Sequence, residues 1–170
     1  STTVDVHGNI IRYRWATTVG PDSSVEQLLM GVDYVDLPDT LAPDGEPEFL
    51  LSVEFEYDQA VRPDALTDRR AGFAITTSRR CRRIAQYSHA GERRLVRTVE
   101  LRYLDEVIAG GERPNAPLPP NGVSLLSQIT ARGHDVDETE SLPPLDLIYT
   151  SFDIERRSFR PLTGSLPADP

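Results

Sequence analysis

Lysine is missing from this 170-residue chain: all 18 basic residues are arginine, and cysteine, methionine and tryptophan occur once each. The arginine bias fits the composition of a genome and carries no mechanism by itself. One cysteine, Cys81, excludes an internal disulfide. A reactive thiolate there would gain from its four neighbouring arginines but also needs a base, and His7, His89 and His134 stand at no diagnostic spacing to it. No apolar run approaches the roughly 20 residues of a membrane-spanning helix. GxSxG, P-loop, HExxH, CxxC and Rossmann glycine patterns are all missing, which removes the recognisable nucleophilic, phosphate-cradling and metal-centred chemistries. There is no initiating Met, leader or lipidation motif. The outermost residues, STTVDVHGN and LPADP, read as cut ends within something longer.

What is present is a chain suited to one domain, residues 1 to 170, with 38% apolar residues spread along its length, enough for a core. Net charge is −9, which argues against a polyanion binder. That charge is uneven. From Arg69 to Arg102, ten arginines face only Glu92 and Glu100, so this span carries +8 and leaves −17 for the rest. An acidic body with a basic band is suited to pairing within itself or with a neighbouring domain.

The dominant period is two. In EFLLSVEFEYD (48 to 58), Phe49, Leu51, Val53, Phe55 and Tyr57 share one face and Glu54, Glu56 and Asp58 the other, with Leu50 as an exception. NIIRYRW points Ile11, Tyr13 and Trp15 inward. LVRTVELRY does so with Leu95, Val99, Leu101 and Tyr103, interrupted by Arg97. Weaker strands are expected in MGVDYVD, GFAITTS, RIAQYSH, SLLSQITA, PLDLIYT and RSFRPL. Ser24 to Gln27 has the form of a capping box for one short helix. HAGER reads as a hairpin turn, and IAGGERPNAPLPPNG (108 to 122) as a long exposed loop or a lid.

Two stretches invite chemistry. In TTSRRCRRIAQYSH, the apolar phase slips between Cys81 and Ile84, which predicts a bulge or bend near Arg80 to Arg83. The band Arg79–Arg83 has too few exposed aromatics beside it for single-stranded nucleic acid. In GHDVDETES, Asp135, Asp137 and Thr139 spell an aspartate-nucleophile motif without its parallel strand. Glu138 and Glu140 spell an ExE pair without its companion elements. Asp135, Asp137 and Glu140 fall short of a calcium loop. A solvated acidic loop, Asp135–Glu140, is the expectation.

Four phrases, taken in order, carry a family resemblance. RPDALTDRRAGFAITTSRRCRRI (62 to 84), LVRTVELRYLDE (95 to 106), SLLSQITARGHD (124 to 135) and SLPPLDLIYTSFD (141 to 153) are similar to the middle and N-terminal region of TcdB and SpvB type proteins. These are the B components of bacterial insecticidal Tc toxin complexes and their virulence-plasmid relatives. The resemblance runs from about Asn9 to the end of the chain, and the Pro-rich insertion at 108 to 122 is longer than it leads one to expect. It implies a structural part, not an enzyme: a secreted, β-rich shell that holds a separate toxic effector. The implied partners are a β-propeller, Rhs/YD repeats and other toxin-complex components, with no nucleic acid and no membrane span. Catalysis in that family belongs to a different C-terminal domain, so the ExE pair is not carried over.

The expected fold class is mainly β, an antiparallel strand-rich sheet or sandwich with at most one short helix. No catalytic, cofactor-binding or metal residue is expected, and no cofactor. The alternative function is an adhesin-like binding module that uses the arginine band or the 108 to 122 loop to hold a partner.

Overall fold

A computed structural model of the chain describes residues 1–19, 24–41, 45–113, 115–136 and 138–150. Eleven strands among them join one sheet. In chain order these are β1 (Thr2–Val4), β2 (Ile10–Val19), β3 (Val25–Leu41), β4 (Pro47–Tyr57), β5 (Leu66–Asp68), β6 (Ile75–Thr77), β7 (Cys81–Ser88) and β8 (Arg94–Tyr103). The one helix among the described residues, α1 (Leu104–Ala109), then precedes β9 (Leu126–His134), β10 (Thr139–Ser141) and β11 (Leu145–Asp146). The main path runs β1-β2-β3-β4-β7-β8-β9-β10, antiparallel throughout, and β11 follows β10 along the outer edge of β9. The β5–β6 hairpin joins through one parallel bridge, Val25 to Ile75. Mainly β with one short helix is thus the observed class, and the described residues form an open sheet, not a sandwich.

The expected phase slip is real. Glu56 pairs with Arg83 and Tyr57 with Cys81, so Arg82 is the extra residue of a bulge in β7. Similar irregularities set Met30 aside in β3 and Val96 in β8.

The helix stands elsewhere than the capping-box pattern predicts. Ser24 and Val25 lead into β3, and the Glu26 carboxylate accepts bonds from the Ser78 amide (2.5 Å) and hydroxyl (2.7 Å). Val25 to Gln27 are extended in β3, with Gln27 paired to Thr17 of β2, so the helical turn that a capping box requires does not form there. α1 forms instead directly after β8, where Leu104 and Val107 are buried and the Tyr103 amide donates to Glu106 Oε2 at 3.2 Å. The weak strand expected in RSFRPL lies outside the described residues.

Cross-strand partners in an antiparallel sheet share a face. One face carries Arg14, Gly31, Glu54, Ala85, Thr98 and Arg132 in a single row, with Arg12, Asp33 and Ser52 in the next. The other carries Tyr13, Val32, Val53, Gln86, Arg97 and Gly133 in one row and Phe55, Ile84, Val99 and Ala131 in another. Alternation is as the sequence predicts, but inward and outward are not. Ala85, Thr98, Ser52 and Asp33 are buried on the charged face, while Trp15 is 49% exposed and the apolar rows are half-buried. The reason is local. Small residues in the middle of the charged face sit beneath long arginine and glutamate side chains, and no second layer of described strands lies over the apolar one. Gly31 shows how close that cover is: a Cβ there would collide with the guanidinium of Arg14, which reaches across β3 towards Asp33 and Glu54.

Candidate functional site

The arginine stretch folds into a closed ionic knot. Asp58 directly follows β4, and its amide donates to the carbonyl of Arg80 (2.9 Å) in the short link between β6 and β7. Arg80 is buried, with 7% of its side chain exposed, and reaches three carboxylates: Asp58 (3.2 Å), Asp105 (2.9 Å) and Glu106 (3.2 Å). It also donates to Ser124 Oγ at 3.3 Å, and its guanidinium lies 4.4 Å from the ring centroid of Tyr103. Arg82, released by the bulge, forms ion pairs with the other oxygen of Asp58 (3.1 Å) and with the same Glu106 oxygen that Arg80 meets (3.5 Å). Burial works against the charge on Arg80, but the bonds to Asp105 and Asp58 outweigh it and raise its pKa above the ordinary value.

A second pair locks onto the first. Arg62 and Asp64 form a two-bond fork at 2.7 and 2.9 Å, and Asp64 accepts from the Ser124 amide (2.8 Å) and hydroxyl (2.5 Å). The Arg62 bond is the main force holding the Asp64 carboxyl well below the usual carboxylate range; burial pushes the other way, and the Ser124 bonds add to the depression. Ser124 therefore ties the segment before β9 to both ion pairs. Four arginines, counting Arg79 on the carbonyls of Asp58 and Gln59, meet Asp58, Asp64, Asp105 and Glu106. The knot is neutral and hydrogen-bonded throughout, an arrangement that fixes chain segments and offers no free base.

Most of the rest of the basic band is also answered from within, Arg70 by Asp68, Arg83 by Glu56, Arg93 by Glu54, Arg94 by Asp135 and Arg102 by Glu112, while the exposed Arg69 has no side-chain ion pair among the described residues. Arg93 additionally covers the ring of Tyr87 at 3.6 Å. Arg97 is the exception on β8, with no side-chain ion pair or hydrogen bond among the described residues. Cys81 is half-buried opposite Tyr57, with its Sγ 3.7 Å from the Arg83 carbonyl. Burial raises its pKa above the ordinary thiol value despite the nearby arginines, whose charges are spent on carboxylates. Cys81 is therefore expected to react about tenfold more slowly than a free cysteine with a thiol reagent at pH 7.5, followed as absorbance of the released leaving group; a rate equal to or above that of free cysteine would contradict this.

The acidic loop does not converge on anything. Asp135 and Glu138 close the β9–β10 turn through a backbone bond of 2.8 Å, and Asp135, Glu138 and Glu140 are exposed. Asp137 lies outside the described residues, and no metal-holding group of three His, Cys, Asp or Glu occurs among those described. Sequence spacing alone does not reveal two hydroxyl–imidazole pairs on the charged face, Ser52 with His89 and Thr98 with His134, each at 2.9 Å. Ser52 and Thr98 are buried, so neither hydroxyl is presented to a substrate.

Beside the 108 to 122 loop lies an open groove of about 740 Å³, lined by Pro117, Leu118, Pro119, Val123, Leu147 and Tyr149 among others. Arg113 spans its rim, bonding Ser127 Oγ and the Leu147 carbonyl at 3.2 Å each and Asp146 at 2.7 Å.

No protein-family model and no curated protein matches the chain. Solved structures do. The crystal structure of TcdB2-TccC3 aligns over 88% of this chain at 20% identity with a TM-score of 0.63, and TcdB2-TccC3 without its hypervariable C-terminal region over the same share with a TM-score of 0.59. The N-terminal domain of effector protein SpvB from Salmonella typhimurium strain LT2 aligns over 75% at 17% identity with a TM-score of 0.53. The resemblance expected from the four phrases is thus met in three dimensions, as a likeness of fold. The chain spans 9% of the length of TcdB2-TccC3 and 48% of the SpvB domain.

Proposed function

We propose that this chain is a structural segment of a larger, secreted bacterial toxin polypeptide, one panel of a β-rich shell around a separate effector, and is not itself an enzyme. The observation that carries the reading is a wide sheet whose charged face and basic band are neutralised almost wholly by the chain's own carboxylates. Such a surface holds its shape without a ligand and presents no unpaired acid, base or nucleophile in a cleft. The shared fold supports the same reading, because in TcdB2-TccC3 it belongs to a much longer chain. Its partners would then be adjoining domains such as a β-propeller and Rhs/YD repeats, together with the other components of a toxin complex.

The test is protease protection of the effector region in the full polypeptide. The effector is expected to survive digestion in the native protein and to become cleavable once Arg80→Ala loosens the panel. Turnover of a nucleotide or phosphoester substrate by this chain, abolished by Asp135→Asn or Glu140→Gln, would overturn the reading. A second reading, an adhesin-like binding module, draws on the apolar groove beside the 108 to 122 loop. The arginine band no longer favours it, since those side chains are already engaged.

A further inference from the structure

We infer that the outer edge of β2 from Trp15 to Val19 is a strand-addition site, filled by the segment of the parent polypeptide that leads into Ser1 and prolongs β1. This rests on the reading of the chain as one segment of a larger protein. β1 covers only the first part of that edge, where Thr2, Thr3 and Val4 pair with Arg12, Ile11 and Ile10. Ser1 closes one more rung: its nitrogen donates to the Tyr13 carbonyl at 3.1 Å, and its carbonyl accepts from the Tyr13 amide at 2.7 Å. The ladder is therefore intact at the residue from which it would extend. Backbone groups along an antiparallel strand turn alternately to its two neighbours. With Tyr13 turned to β1, the N–H and C=O of Trp15, Thr17 and Val19 point to the same outer side, while Ala16 and Thr18 turn to β3. Among the described residues, β1 and β3 are the only elements that touch β2, so that outer side is bare beyond Tyr13.

Composition marks the edge and register selects its occupant. From Trp15 to Val19 there is neither a charge nor a proline, the residues that ordinarily keep foreign strands away. Trp15, Thr17, Thr18 and Val19 are all exposed. The opposite edge of the sheet is guarded: β10 and β11 lie along β9, bringing Glu140 and Asp146 with Pro143 and Pro144 between them. Carried backwards in the β1–β2 register, the residue before Ser1 falls opposite Arg14 and the second before it opposite Trp15. The fourth then meets Thr17 and the sixth meets Val19. Trp15, Thr17 and Val19 share the apolar face with Tyr13, and Arg14 lies on the charged one. The second, fourth and sixth residues before Ser1 should accordingly be apolar or β-branched, and those between them polar. A polypeptide entering at Ser1 already runs along this edge, so pairing further closes no new loop. A strand from elsewhere, or from a second copy, must first turn that polypeptide aside and then meet the cost of closure or association.

Hydrogen exchange of the full polypeptide, resolved to single amides by fragmentation in the mass spectrometer, tests this. Trp15, Thr17 and Val19 are expected to exchange as slowly as Ala16 and Thr18, about a hundredfold or more below the rate of an unbonded amide. Alternation, with the three outward amides near the unbonded rate, means an open edge and would overturn the inference. Proline in place of the fourth residue before Ser1 removes the bond donated to the Thr17 carbonyl and loosens the added strand. Exchange at Thr17 and Val19 should then rise about tenfold or more, with Ala16 and Thr18 unchanged. Protection that survives this change comes from another strand, and protection that grows with protein concentration comes from a second copy; either result rejects the proposed occupant. Exchange reads the edge and protease protection reads the shell. Alternation in a polypeptide whose effector resists digestion sinks this inference alone, and uniform protection beside a cleavable effector sinks the shell reading alone.

Discussion

Arg80→Ala is expected to lower the unfolding free energy by about 3 kcal/mol, the lower end of what breaking a buried ion pair costs. The loss comes from what is left behind. Asp58, itself nearly buried, and Asp105 and Glu106 at the start of α1 would keep their charges without the cation that neutralises them. Arg82 still reaches Asp58 and Glu106, which keeps the effect from the top of the range. Arg80→Lys should recover only part of the loss. An ammonium has no planar fork to serve three carboxylates and Ser124 at once, and it stacks less well on Tyr103. Urea unfolding followed by circular dichroism measures both variants; a change below about 1 kcal/mol for Arg80→Ala would show that the knot contributes little beyond exposed pairs.

Asp64→Asn should cost about 2 kcal/mol at pH 7, the usual scale for losing hydrogen bonds to a charged group, and the cost should depend on pH. The folded pKa of Asp64 is depressed by Arg62 and Ser124. The native protein therefore gains from the ionised carboxylate above the unfolded value of about 4 and loses that gain as pH falls through it towards the folded pKa. The stability gap between native protein and variant is expected to be steady from pH 7 to 5 and to narrow towards pH 2. Urea midpoints at a series of pH values would show it, and a gap that widened on acidification would contradict the assignment.

Strand positions were legible because period two survives whatever covers the sheet: β2, β4, β7, β8 and β9 fall where the alternation predicts. The slip at Cys81 and Ile84 likewise announced the bulge at Arg82. Which face would be buried was not legible, since that depends on what lies across the strands, and small residues under long charged ones bury themselves. The knot was half visible. Its arginines stood out, but their acceptors, Asp58, Asp64, Asp105 and Glu106, come from segments whose meeting is set by the β4–β7 pairing and by α1. The phrases RPD and RRCRR that carry the family resemblance contain Arg62, Asp64, Arg80 and Arg82, so the residues most readable as a motif are those that tie the fold. The capping-box pattern at Ser24 to Gln27 points to a helix that does not form, because strand pairing of Val25, Glu26 and Gln27 with β2 overrides a four-residue local signal.

The order of the strands bears on how the chain reaches this state. From β1 to β4 and again from β7 to β10, each strand is laid beside its immediate predecessor, and the detour through the β5–β6 hairpin is the only step along that path that skips a place. Sheet neighbours on that path are therefore mostly neighbours in chain order, which speeds folding relative to β proteins built on distant pairings. A chain threaded through a narrow exit in either direction could rebuild such a sheet one strand at a time as it emerged, waiting for distant sequence only where β7 returns to β4.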